Sequence, residues 1–226
     1  MPPKEQPEPM PPIYWIGWTF YRLFFAAYCR WHVFNPERVP VRGPVILASN
    51  HASHLDPPLV GAGLPRALNY LARESLFDLP VAGWALRNVN AVPVDRDGAG
   101  AAGLRAIFNR LRQGGAILLF PEGTRTRDGQ LQRARAGVGL VVIKSTAPVV
   151  PVRVFGTYEA WNRFNKVPRP RAVAVKYGQP MKFERLRAEA QDCPKERLKA
   201  LYQEASDEIM RAIGALRFGE DRNRFP

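Results

Sequence analysis

The chain predicts an α/β fold, a mixed, largely parallel central sheet flanked by helices, preceded by an N-terminal aromatic, membrane-anchoring helical segment. Three observations carry this expectation. After Pro40, short β-branched or apolar runs alternate with amphipathic stretches, the pattern of an α/β layer rather than of a bundle or a sandwich. At 226 residues, 46% hydrophobic and 23% charged, the chain can bury a full core in one or two domains, and no linker splits it. Finally, the stretch from Ile13 to Phe34 is crowded with Trp, Tyr and Phe, residues that favour the headgroup region of a bilayer.

Taken in order, residues 1–12 carry six prolines and little apolar content, so they read as an extended, poorly ordered leader. The tail after Phe218 reads the same way. Residues 13–39 form the expected anchoring segment. On a helix, Thr19, Arg22, Ala26 and Arg30 make one narrow, less apolar stripe, while Trp15, Trp18, Phe25 and Trp31 cover much of the rest. Arg22 sits where a signal peptide needs an uncharged core. An interfacial or re-entrant anchor is therefore expected, with a full span and a soluble core helix as the other readings.

The α/β domain occupies residues 40–226. Strands are expected at Val45 to Ala48, Leu68 to Ala72, Ala91 to Val94, Ala116 to Phe120, Val149 to Phe155 and Ala172 to Tyr177. Ala101, Leu104, Ile107, Phe108 and Leu111 follow helical spacing, and Gly114 with Gly115 ends that helix. Leu198, Leu201, Tyr202, Ala205, Ile209 and Ile213 repeat the pattern near the end. Gly137 and Gly139 are expected where helices pack closely. A nucleotide-binding reading of the stretch GVGLVVIKST fails for want of a Gly before Lys144.

A formal charge of +13 calls for an anionic partner, and its distribution selects among them. The excess is spread along the chain without a basic block, which fits an anionic membrane surface and not a nucleic-acid arm. Cys29 and Cys193 alone give no disulfide framework and no paired metal ligands, consistent with a reducing, cytosolic face.

Chemistry-bearing residues fall in two clusters. Asn50 to Asp56, reading NHASHLD, follows the first of these strands. A carboxylate that accepts one imidazole N–H raises the basicity of the other nitrogen, which can then take a proton from a hydroxyl. His51, His54 and Asp56 also permit a metal site, and a plain structural hydrogen bond is a third reading. Phe120 to Thr126, reading FPEGTRT, follows the strand at 116–120, where an open α/β sheet presents ligands. Gly123 lets backbone approach a ligand, Thr124 offers a hydroxyl and Arg125 a fork matched to phosphate.

Together NHASHLD and FPEGTR resemble the histidine-to-aspartate and Glu-Gly-Thr-Arg motifs of the glycerolipid acyltransferase family, best known from its 1-acylglycerol-3-phosphate acyltransferases. Gly83 through Arg96, ending in VPVDR, and Val150-Pro151-Val152 are similar to the family's other two motifs, in family order. The resemblance implies that His51 deprotonates the acceptor hydroxyl, oriented by Asp56, with direct attack on an acyl thioester. It implies that Arg96 and the loop Glu122, Gly123, Thr124 and Arg125 hold the acceptor's phosphate, and that Val150 and Pro151 help to wall the acyl group. One departure is Ala134-Arg135-Ala136-Gly137 in place of the family's Phe-Lys-x-Gly. There Arg135 substitutes a planar guanidinium for a point charge, and acceptor or chain-length preference is expected to shift.

The implied donor is acyl-CoA or acyl carrier protein, and the implied acceptor a lysophospholipid, lysophosphatidic acid first. Glycerol 3-phosphate or another lyso-lipid is the nearest alternative, and a metallohydrolase or a non-catalytic membrane-binding module the remote one. No cofactor or metal is called for, and the expected location is the cytoplasmic face of the inner membrane.

Overall fold

A computed structural model of the chain, describing residues 6–94 and 100–218, shows each expected apolar run as a strand and adds a seventh. In chain order the described elements are α1 (Pro12–Tyr28), β1 (Trp31–Phe34), β2 (Val45–Ser49), α2 (Asp56–Ala62), β3 (Leu68–Arg73), α3 (Pro80–Asn88), β4 (Ala91–Val94), α4 (Ala101–Arg112), β5 (Ala116–Leu119), α5 (Ala136–Lys144), β6 (Val149–Phe155), α6 (Thr157–Trp161), β7 (Val173–Tyr177), α7 (Glu184–Glu189) and α8 (Lys195–Ala215).

The strands form one sheet in the order β1-β7-β6-β2-β5-β3-β4. Every pairing is parallel except β6 with β7. Strands β2, β5 and β7 are buried at every position, which is why they read as continuous apolar runs rather than alternating ones. Alternation persists in where the side chains go. Val45 and Leu47 enter one core with Phe25, Leu59 and Tyr177. Ile46 and Ala48 enter the other, with Ile107, Val142, Leu186 and Ile209. Helices α1 and α2 thus cover one face, and α4, α5, α7 and α8 the other.

Close packing of α5 on α8 turns on Gly139, where a Cβ would collide with the carbonyl oxygen of Tyr202 and whose N–H donates to Ser206 Oγ at 2.9 Å. Gly137 departs from expectation. A Cβ there would meet nothing within 4 Å, because Gly137 faces open space instead of a helix.

The N-terminal segment corrects the sequence reading twice. First, the helix stops at Tyr28, and Trp31–Phe34, expected as part of it, pairs with β7 from Trp31↔Val173 to Phe34↔Lys176. Second, the polar stripe is split, with Arg22 turned inward and Ala26 and Arg30 exposed. Arg22 donates to the Ala62 carbonyl (2.9 Å) and its guanidinium lies 4.6 Å from the Trp18 ring, while Trp18 Nε1 donates to the Leu64 carbonyl (2.9 Å). Tyr14 and Phe25 are buried, whereas Trp15, Ile16, Phe20 and Leu23 are more than half exposed. Helix α1 therefore docks through Tyr14, Trp18, Arg22 and Phe25 and turns a second apolar side outward. Among the described residues no helix is long and apolar enough to cross a membrane. Part of the expected leader (residues 1–5) and the tail beyond Phe218 lie outside the described residues.

Candidate active site

Strands β2 and β5 are parallel neighbours, paired from Val45↔Ala116 to Ala48↔Leu119, so the loops after them leave the same edge of the sheet. That adjacency brings NHASHLD against FPEGTRT. Asn50 opens the first loop and ties it to β6, accepting from the Val154 N–H at 2.9 Å. Asp56 begins α2, where the helix N-terminus favours negative charge.

His51 Nδ1 lies 2.8 Å from Asp56 Oδ2. The same oxygen accepts the N–H groups of Ala52 (2.6 Å) and Ser53 (2.7 Å), and Asp56 is wholly buried. A carboxylate held this way accepts a hydrogen bond from Nδ1–H, which leaves Nε2 as the basic nitrogen. The ring stacks on Phe120 at 3.9 Å and 16°, so its orientation is fixed from a second side.

The loop after β5 grips the peptide of His51 itself. Glu122 Oε1 accepts the His51 N–H at 2.9 Å, and the Thr126 N–H donates to the His51 carbonyl at 2.8 Å. Glu122 Oε2 accepts the Gln132 N–H at 3.3 Å. Both carboxylate oxygens of Glu122 are thus engaged by backbone donors, and the residue is buried. It ties loops together instead of facing a cavity. Burial lifts its pKa from the ordinary 4.5 to about 7, with the charge of Asp56 adding to the rise and the two N–H donors opposing it.

Gly123 has φ +68°, and a Cβ there would lie 2.9 Å from Arg135 Cδ. Only glycine both tolerates this left-handed turn and lets the Arg135 side chain cross it. The crossing is held from below, since Arg135 N–H donates to the Pro121 carbonyl (2.9 Å) and its carbonyl accepts from Ser206 Oγ (3.0 Å). Arg125 Nη1 contacts His54 Nε2, and the His54 ring rests on Trp161 with centroids 5.1 Å apart. Burial and the Arg125 charge push the His54 pKa down, so it is a neutral acceptor. Burial and then Arg163 lower the pKa of Arg125. A cation under such strain gains from any anion that arrives.

Two cavities open on these residues. One, of ≈ 540 Å³, is lined by Thr124, Arg125, Arg127, Arg135 and Arg163, with Asp128 the one acid. The other, of ≈ 550 Å³, has His51, Arg73 and Arg135 in its wall and is otherwise largely aliphatic, including Leu71, Val94, Leu104, Ile107, Leu118, Leu140 and Val141. Gly137 lines it too. Val150 and Pro151 line neither cavity. They lie in the middle of the sheet, on β6 between β2 and β7, with Val150 at 0% exposure. The aliphatic wall beside His51 is built instead by residues of α4, α5 and the ends of β3, β4 and β5. Arg96 falls outside the described residues.

His51, Asp56, Glu122, Gly123, Thr124, Arg125 and Arg135 come together as expected from the sequence. Arg73, Arg127 and Arg163 join them unannounced as site residues. Arg73 ends a parallel strand at the ligand-bearing edge, a position that carries a signal once strand direction is known. Among the described residues no group of three His, Cys, Asp or Glu is placed to hold a metal ion.

The acyltransferase family model matches residues 30–155, which span every part of the His51 site up to β6. The chain belongs to the acyltransferase family. Within it, the chain is 31% identical over 136 residues to the 1-acyl-sn-glycerol-3-phosphate acyltransferase of Bacillus subtilis, covering 59% of this chain and 67% of that one. It is also 31% identical over 116 residues to the chloroplast 1-acyl-sn-glycerol-3-phosphate acyltransferase LPAT1 of Arabidopsis thaliana, covering 50% and 32%. The chain thus spans about a third of the plant relative's length. The crystal structure of the 1-acyl-sn-glycerophosphate acyltransferase PlsC from Thermotoga maritima is similar at a TM-score of 0.67 and 26% identity, over 91% of this chain and 79% of that one. Most of the chain thus matches that fold.

Proposed function

We propose that this chain transfers a fatty acyl group from an acyl thioester to the free hydroxyl of lysophosphatidic acid, yielding phosphatidic acid. One observation carries the reading: His51, its Nδ1 committed to Asp56, lies in the wall of an aliphatic cavity that shares Arg135 with a basic one. The acceptor is anionic at one end and the donated chain apolar throughout, so the two linings suit the two ends of the product. Relatives named 1-acyl-sn-glycerol-3-phosphate acyltransferases support the choice of acceptor.

In this mechanism Arg125 and Arg135 hold the acceptor phosphate, and Arg96 is expected to help. His51 Nε2 removes the hydroxyl proton as the oxygen attacks the thioester carbonyl. Collapse of the tetrahedral adduct breaks the C–S bond, and the imidazolium returns its proton to the leaving thiolate. Asp56 stabilises that imidazolium through Nδ1–H. Either acyl-CoA or acyl carrier protein satisfies this chemistry as donor.

The reading includes a membrane-associated protein at the cytoplasmic face of the inner membrane, with α1 lying in the interface. The outward Trp15, Ile16, Phe20 and Leu23 support it. Because β1 is a sheet strand, the informative variant is Ile16→Ser with Phe20→Ser and Leu23→Ser; deleting the whole segment would remove β1 as well. That triple variant is expected to shift from the membrane to the soluble fraction.

The decisive assay offers purified protein in detergent an acyl thioester with lysophosphatidic acid and follows free thiol. Release that needs both acceptor and His51 supports the proposal. Release without acceptor would make the chain a thioesterase, and no release would redirect the search to other lyso-lipids or to the other donor.

A further inference from the structure

The segment between α6 and β7, residues 162–172, takes no part in the chemistry above except through Arg163. Its composition is unusual for a surface turn. Arg163, Lys166, Arg169 and Arg171 are the charged residues between Glu159 and Lys176, and no acid occurs before Glu184. Between these cations Phe164 and Val167 stand 66% and 67% exposed.

The turn is built to keep them there. Asn162 Oδ1 accepts the Phe164 N–H at 2.9 Å, the Asn165 carbonyl accepts from Trp161 Nε1 at 3.0 Å, and Arg169 N–H closes the base on the Ala160 carbonyl at 2.8 Å. Pro168 and Pro170 stiffen the return limb. The backbone is bonded at its base and tip, and Phe164, with the Arg163 guanidinium 5.8 Å from its ring, and Val167 are held out in water. Desolvating both would release apolar surface from water.

Position suggests what does so. Arg163 Nη1 reaches the Arg125 carbonyl at 3.5 Å, and Tyr28 Oη donates to the Pro168 carbonyl at 3.1 Å. The turn therefore joins the phosphate-facing loop to the C-terminal end of α1, whose outward side is also apolar. We propose that residues 162–171 form a second contact with an anionic phospholipid bilayer, with Phe164 and Val167 entering the headgroup boundary and Lys166, Arg169 and Arg171 meeting lipid phosphates. This inference rests on the acceptor being a lipid. It places the mouth of the basic cavity against the bilayer surface, so the acceptor reaches Arg125 laterally without leaving the membrane. An acidic protein partner would pair with the cations but would have no use for the two apolar side chains among them, which favours the bilayer.

The test sediments full-length protein with phosphatidylcholine vesicles, with and without phosphatidylglycerol. Three proteins are compared with wild type: Phe164→Ser with Val167→Ser, Lys166→Glu with Arg169→Glu, and the α1 triple variant. Thermal melts confirm that each folds. Each loop variant is expected to lower partition onto phosphatidylglycerol vesicles at least tenfold, since one basic residue near such a surface contributes roughly fivefold. Turnover of a long-chain acceptor presented in vesicles should fall in parallel, with turnover of a short-chain, water-soluble acceptor unchanged. Loop variants that sediment like wild type, while the α1 variant does not, would overturn the inference and leave the membrane reading intact. Wild type that sediments with neither vesicle would overturn both. Loop variants that lose binding to an acidic acyl carrier protein but keep vesicle binding would give the turn to the donor instead.

Discussion

The basic cavity around Arg125 and the aliphatic cavity that His51 lines are nearly equal in size, ≈ 540 and ≈ 550 Å³, and opposite in character. Arginines crowd the first and aliphatic side chains the second, yet both include Arg135. Volume alone would assign them the same ligand. What separates them is which elements supply the walls. Loops after β5 and α6 line the basic cavity, and backbone polarity and long cations come with loops. Helices α4 and α5 and the ends of β3, β4 and β5 line the other, so it inherits the apolar faces those elements turn toward the core. The proposed reaction joins an ionic molecule to an oily one and needs both linings: His51 lies in the wall of the aliphatic cavity, and Arg135 links that cavity to the basic one.

The strongest way to break this comparison is to remove His51. His51→Ala is expected to lower turnover in the thiol-release assay by roughly a hundredfold or more, the usual worth of a general base. A loss under about threefold would show that neither cavity serves this histidine. Next is Arg125→Lys, which keeps the charge and loses the fork. About 1.5 to 3 kcal/mol per charge-assisted bond predicts roughly a tenfold or greater rise in acceptor KM, and an unchanged KM would mean the phosphate sits elsewhere.

The aliphatic side is probed by Leu140→Trp, which fills space in that cavity. Long acyl donors should slow by roughly tenfold relative to short ones, measured as a ratio of kcat/KM across a chain-length series. A uniform change across the series would place the acyl chain outside it. The last effect is read as stability instead of turnover and concerns the tie between the loops. Glu122 is neutral in both folded and unfolded protein below pH 4.5. Above that the unfolded chain ionises first, because the folded carboxyl holds its proton up to about pH 7. Wild type should therefore lose stability relative to Glu122→Gln as pH rises from about 4.5 to 7, by at most about 1.4 kcal/mol per pH unit. Denaturant melts across that range read the slope, and a flat difference would mean the carboxyl is not desolvated. Activity should still suffer in the Gln variant, whose amide nitrogen cannot accept an N–H.

Much of this was legible in the sequence, and for identifiable reasons. Strands such as Val45–Ser49 and Val173–Tyr177 are buried on both faces, so they announce themselves as unbroken apolar runs. His51 and Asp56 are five residues apart in one loop, and local spacing survives translation into sequence. Trp31–Phe34 did not show itself, because an edge strand after an aromatic helix shares that helix's composition. Its partner, Val173 to Lys176, is more than 130 residues away. The aliphatic cavity was hidden for a different reason. Leu104, Ile107 and Val141 have the spacing of ordinary core residues, and whether a stripe meets a neighbour or a gap is decided by the other elements. Val150 and Pro151 show the converse, a motif whose contribution is to the interior of the sheet.

Only Cys29 and Arg30 separate the end of α1 from the start of β1. With Arg22 bonded to α2 and β1 hydrogen-bonded into the sheet, the chain has no slack between its outward aromatic side and His51. A flexible tether would let the catalytic edge tumble above a surface. Under the proposed membrane reading the helix acts as a keel: whatever tilt α1 takes is imposed on the whole sheet, and the height of His51 above the surface becomes a fixed property of the fold.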